Sequence, residues 1–133
     1  LGLAVLWMLP LFLLQLAFTV GVGLFTAALN VRFRDIGYMV SVALVLGFYG
    51  TPVFYDLDWV LSAAQNGHVP HLGVQAYLAN PMAELLEAYR QALLEGRRPD
   101  GWLFLWPMIV ATIALLVGVI TFRRSAPTLS DYL

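Results

Sequence analysis

His68 and His71 stand three residues apart, a spacing that would let two imidazoles share a metal ion if the backbone brought them to one face. Pro70 falls between them and opposes the helical turn that would do so. A zinc site also needs a third or fourth ligand. Asp56, Asp58 and Glu84 would serve only if the fold gathered them, so a solvated loop is the expected state and no metal site is expected. Nucleophilic chemistry fares no better. The sequence carries no Ser-His-Asp order and no Gly-x-Ser-x-Gly turn. All seven basic residues are arginine, which removes Schiff-base lysines and the phosphate-binding loop that requires lysine. Cysteine is absent, and with it disulfides, thiolate metal sites and thiol nucleophiles. No catalytic residue and no cofactor are expected in this chain; an enzyme working through His68 and His71 in an external loop is the rival of another class.

Two other groups carry recognisable chemistry. The turn Asn30-Val-Arg-Phe-Arg-Asp35 places Arg32, Arg34 and Asp35 around Phe33. Its plain reading is charge that anchors and orients a membrane helix; its functional reading is a docking element with an apolar anchor. Phe48, Tyr49, Phe54, Tyr55 and Trp59 cluster nearby in sequence. An interfacial aromatic belt is the simpler account, and a stacking surface for sugar rings is the alternative. Trp102 and Trp106 read as belt residues as well.

The elements that must hold these residues follow from composition. The chain has 133 residues, 61% apolar and 11% charged, with a mean hydropathy of +0.81. Soluble domains run about 45–50% apolar and about 25% charged, so a soluble globule and a disordered chain are both excluded. A net charge of −1 offers no polybasic surface, and no nucleic-acid partner is expected. Charge-free runs cover 1–31, 36–55 and 101–122. About 20 helical residues cross a bilayer core, so the second and third runs fit one crossing each. The first run is too long for one upright helix, and Pro10 divides it: 1–9 is expected to end a preceding span and 11–30 to form a full one. The chain begins at Leu1 inside an apolar run, which reads as a fragment lacking an N-terminal part. The fold expected is an all-α integral membrane protein: three full transmembrane helices plus the end of a fourth.

Within the spans, Thr19, Gly23 and Ala27, and again Ala43, Gly47 and Thr51, repeat small residues every four positions, the mark of close helix contact. Parity puts the turn 31–35 and the tail 123–133 on one side and 56–100 on the other. Four arginines against three assign the first side to the cytoplasm. In 56–100, Asn80 and Pro81 make a strong helix start, and Gly96 a stop, for an amphipathic helix over 81–95. Met82, Leu85, Leu86, Tyr89 and Leu93 form its apolar face, with Glu84, Glu87, Gln91 and Glu95 opposite. It is too short and too charged to span, and either lies on the outer surface or re-enters the membrane. Thr51-Pro52 fits a helix broken at such a re-entrant place.

Leu-Asn-Val-Arg-Phe-Arg-Asp-Ile at 29–36, Thr-Pro-Val-Phe-Tyr at 51–55, Asn-Pro-Met-Ala at 80–83, Glu-Ala-Tyr-Arg at 87–90 and Phe-Arg-Arg at 122–124 follow one another in order. In that order the chain resembles the C-terminal half of an ABC-2 type permease of the branch that exports O-antigen, capsular polysaccharide and teichoic acid precursors. The resemblance implies a multi-pass protein of the bacterial cytoplasmic (inner) membrane. It implies a second permease copy, a separate nucleotide-binding subunit that carries ATP and Mg, and a lipid-linked glycan as substrate, with lipid around the spans. It implies ATPase coupling through Arg32, Phe33, Arg34 and Asp35. It also implies two short re-entrant helices between the last two spans, and a path or gate formed by Phe48, Tyr49, Thr51, Pro52, Tyr55, Asn80 and Pro81. The stretch from Leu57 to Leu78 is longer than the family pattern, and the wider group includes drug and lipid efflux permeases, which stand as the alternative substrate class.

Overall fold

A computed structural model of the chain describes residues 2–51 and 57–131. Every element among them is helical: a 3-10 turn over Leu3–Trp7, then α1 (Met8–Arg32), α2 (Ile36–Gly50), α3 (Leu57–Gln65), α4 (His71–Ala79), α5 (Pro81–Leu93) and α6 (Gly101–Ser130). Two continuous helical stretches, Leu3–Arg32 at 30 residues and Gly101–Thr128 at 28, are long and apolar enough to cross a bilayer.

Pro10 does not divide the first run. It occupies the third position of α1, within its first α-turn, and the helix runs on through it to Arg32. The preceding 3-10 turn feeds directly into α1, so of the expected segment 1–9 the residues from Leu3 on share one helical stretch with 11–30 and do not end a separate span. The expected span 36–55 yields a helix of 15 residues that stops at Gly50, roughly 22 Å long; Pro52 and Tyr55 lie outside the described residues. The last span does not end at Phe122: α6 carries through Pro127 to Ser130, so most of the expected tail 123–133 is helix.

The core is made by α1 and α6, with α5 wedged onto them. Buried positions in α1 are Leu11, Leu14, Gly21 and Ala28, a near-heptad seam that keeps one face on its neighbour. The closest approach is at glycines: a Cβ on Gly118 would stand 2.2 Å from the Gly21 carbonyl oxygen, and one on Gly21 would stand 2.5 Å from the backbone of Ala114 and Leu115. The four-spaced stripe read from the sequence is not this contact, because Thr19, Gly23 and Ala27 are exposed. Low numbers in α1 meet low numbers in α6, and Arg32 and Arg124 share one cleft at the far end. The two helices therefore run parallel, and the two basic ends lie together.

Helix α2 is the exception to this packing. None of its residues is buried, and its apolar side chains stand exposed along its length.

Candidate functional site

The segment after α2 folds as three short helices, where the residue pattern marks one and the resemblance implies two. Gly67 stops α3 at φ 73°, with its N–H bonding Ala64 O and the His68 N–H bonding Ala63 O, the reciprocal pair of a left-handed helix cap. Pro70 is extended and precedes α4, so His71 opens that helix while His68 belongs to the turn before it; both rings are exposed.

Helices α4 and α5 meet at Asn80 in a V. Asn80 is the N-cap of α5: its Oδ1 accepts from Met82 N at 3.0 Å, and Pro81 follows at the first helical position, where proline is preorganised. The same side chain reaches across to α2. Its Nδ2 donates to Gly50 O and to Thr51 Oγ1, both at 3.4 Å, while Thr51 donates to Gly47 O at 2.7 Å. One amide thus serves the start of one helix and the end of another. The corner is tied to α6 too, by Trp106 Nε1 donating to Ala79 O at 3.1 Å. At the other end of α5, Gln91 accepts from Asp100 N at 3.1 Å and donates to Asp100 Oδ2 at 3.4 Å. The α4–α5 corner is thus bonded to Trp106 of α6, and the far end of α5 to Asp100, just before α6 begins. Tyr89, on the rising arm, donates to Gln15 Oε1 of α1 at 3.1 Å.

Contact on several sides redraws the faces of α5. Its buried residues are Ala83, Glu84, Leu85, Ala88, Gln91 and Ala92. Glu84 and Gln91, assigned from the sequence to the solvent face, are 6% and 4% exposed, while Leu93 is exposed. Alanines at 83, 88 and 92 are small enough to let α5 sit close among its neighbours. Glu84 Oε2 has no hydrogen-bond partner among the described residues, and burial, with the nearby Glu87 charge adding to it, pushes the Glu84 carboxyl above its ordinary 4.5. The unfolded chain ionises Glu84 first, so this group makes stability fall as pH rises above about 4.5 until the folded carboxyl also ionises. Glu84→Gln is expected to unfold at higher temperature than the parent near pH 8 and at about the same temperature near pH 4. Circular dichroism melts in detergent at the two pH values check this; equal melting at both would remove the ionisation cost.

Between the end of α2 and the α3–α4 pair lies an open cleft of 690 Å³, lined by Gly47 and Gly50 of α2, Trp59 of α3, Gly73 and Tyr77 of α4, and Asn80. Its walls are apolar and aromatic, with Asn80 as the amide at its foot. Of the expected path residues, Asn80 lines this cleft, Thr51 accepts from its amide and Pro81 follows it in sequence. Phe48 and Tyr49 are exposed and make an edge contact at 5.8 Å with each other, but they do not line the cleft. Trp59 and Tyr77 do; the first stands in the aromatic cluster read as a belt or a stacking surface, and the second carries no pattern that singles it out. Arg32 closes α1, Phe33 caps it, and Arg34 and Asp35 complete the turn into α2, all four exposed.

Paired long apolar helices, a bare apolar helix and a V of short helices bound to one end define a helical membrane protein. No family model and no solved structure matches the chain. It is 36% identical over 89 residues to the O-antigen export system permease protein RfbA of Myxococcus xanthus, covering 67% of this chain and 32% of that protein. It is 30% identical over 124 residues to the permease of the same name from Klebsiella pneumoniae, covering 92% of this chain and 44% of that one. A further Klebsiella pneumoniae permease of that name is 31% identical over 91 residues, 68% of this chain and 32% of its own length. The chain thus spans less than half the length of the curated relatives it matches. It belongs to the ABC-2 permease family, in the O-antigen export branch.

Proposed function

We propose that this chain is part of the transmembrane permease of an ATP-driven exporter that moves lipid-linked polysaccharide across the bacterial cytoplasmic membrane. The observation that carries the reading is the similarity to O-antigen export permeases along 92% of the chain, joined to an outer cleft walled by aromatics and free of fixed charge. A path for a neutral glycan needs contact area and stacking more than charge. Drug or lipid efflux and a membrane enzyme gain nothing from the fold, in which His68 and His71 open outward on separate elements.

In this reading α1 and α6 cross from outside to inside, α2 returns, and the α4–α5 V is re-entrant on the outer side. The bond from Trp106 to its corner and the Tyr89–Gln15 bond support that placement. Polar backbone at membrane depth is acceptable where protein covers it, as Asn80 and Trp106 cover the corner here. A second permease copy meets the exposed face of α2, with Phe48 and Tyr49 toward the shared path. A nucleotide-binding subunit, holding ATP and Mg, docks against Arg32, Phe33, Arg34 and Asp35. Hydrolysis then moves the turn, α2 follows as a lever, and Asn80 carries the movement to the V.

The docking role has a direct test. Reversing both charges, Arg34→Glu with Asp35→Arg, is expected to leave ATP hydrolysis running while export falls tenfold or more, measured with the permease–ATPase assembly in proteoliposomes. Coupling that survives the reversal would reduce the turn to an orienting element, and a permease that reproducibly purifies without an ATPase would sink the exporter reading.

A further inference from the structure

At the basic end of the parallel pair, α1 and α6 part around a cleft of 530 Å³. Arg32 lines it from α1; Arg124, Ser125 and Thr128 line it from α6. Val31 and Ile120 supply an apolar wall. Both arginines are exposed. Among the described residues, the ion pairs belong to Arg90 and Arg97, and neither Arg32 nor Arg124 has a carboxylate against it.

The hydroxyls repeat the pattern. The chain has ten serines and threonines, and eight of them turn back onto a carbonyl of their own helix. Ser125 and Thr128 are the two that make no hydrogen bond to a described residue, and both face this cleft. Two guanidiniums and two uncommitted hydroxyls converging on one space are donors for a phosphate. The carboxyl end of α1 opposes an anion there with about half a negative charge, which two full positive charges exceed. The apolar wall would be of no use to a free anion, whereas it suits an amphiphile with a charged head at the membrane surface.

We propose that this cleft binds the phosphate headgroup of an anionic phospholipid of the cytoplasmic leaflet, with Arg32 and Arg124 clamping the phosphate, Ser125 and Thr128 donating to it, and the glycerol and acyl portion against Val31 and Ile120. The proposal rests on α1 and α6 crossing the membrane and not on what the permease exports. The site would fix the spacing of the two basic helix ends beside the Arg32–Asp35 turn, and so the position from which that turn works.

The test uses the full chain in neutral detergent, titrated with short-chain phosphatidylglycerol, phosphatidylcholine or inorganic phosphate, with bound lipid counted by native mass spectrometry. Phosphatidylglycerol is expected to bind more tightly than phosphatidylcholine. Its affinity is expected to fall about fivefold for Arg32→Gln or Arg124→Gln and about thirtyfold for both. Arg123→Gln, at the same end but outside the cleft, is expected to change nothing. Unchanged affinity in the double variant, an equal loss for Arg123→Gln, or equal binding of phosphatidylcholine would overturn the proposal. Displacement of the lipid by inorganic phosphate at equal concentration would overturn the lipid as the source of the phosphate. If the double variant does not fold, the fivefold criterion on the single variants decides. None of these readouts involves transport, so a failure here leaves the exporter reading standing, and the reverse also holds.

Discussion

Gly118→Ala is expected to separate α1 from α6 and lower the unfolding midpoint of the chain in detergent more than any other methyl addition. The new Cβ would meet the Gly21 carbonyl oxygen at 2.2 Å and its carbon at 3.0 Å. Backbone cannot rotate away as a flexible side chain can, so the helices must move apart along the seam that joins Leu11, Leu14 and Ala111. Overpacking of this kind costs about 1–3 kcal/mol, and more where nothing yields. Gly21→Ala is expected to act in the same direction, through Ala114 and Leu115. The controls are built in. Gly23 and Gly47 have nothing within 4 Å of an added Cβ, so alanine there is expected to be neutral, or to gain up to about 1 kcal/mol from helix propensity. A Gly118→Ala protein that unfolds at the parent midpoint would mean that α1 and α6 do not meet at these glycines.

Asn80 is expected to separate two functions that its side chain now combines. Asn80→Asp keeps the oxygen that caps α5 but has no N–H for Gly50 and Thr51. It should hold α5 in place, since aspartate caps as well as asparagine, and release the end of α2. Asn80→Ala loses both roles and should add about 1 kcal/mol of lost cap. Spin labels on Leu46 and Ala76, on opposite walls of the outer cleft, report the result as a distance distribution. Both variants are expected to broaden it, only alanine should lower the melting temperature of α5, and export should fall in both. A distribution as narrow as the parent's in both variants would end the idea that Asn80 ties α2 to the V.

The sequence was most legible where a residue's own stereochemistry decides the outcome. Asn80-Pro81 and Gly96 marked α5 to within a few residues, because capping is local. Span parity puts the turn 31–35 and the segment 123–133 on one side, and Arg32 and Arg124 do line one cleft. Legibility failed where a third element decides. Glu84 and Gln91 look solvent-facing on a helical wheel, and they are buried because α5 is covered on more than one side. Thr19, Gly23 and Ala27 share the spacing of a packing stripe but face away from α6; Gly21 and Gly118, each unremarked within its own helix, meet only once both helices are in place. The residue pattern alone marks neither α3 nor α4, because nine-residue helices carry too little periodicity to read, although Gly67 is a usable stop signal and the resemblance implies one short helix besides α5. Within the candidate site, Asn80 could be read for its cap but not for its bond to a helix end thirty residues earlier.

The pairing of α1 with α6 has a consequence for how the chain is made. Its tightest contact joins Gly21 to Gly118, residues near opposite ends of the sequence, and everything between them is synthesised before that contact can close. Through that interval α1 must wait in the bilayer with its heptad seam against lipid, and α5 has only half of its final support. Late closure of a long-range contact exposes a chain to wrong partners. A ribosome stalled before Gly101 would therefore leave a helix whose glycine face is open to any neighbouring span, and α6 supplies the partner that closes it.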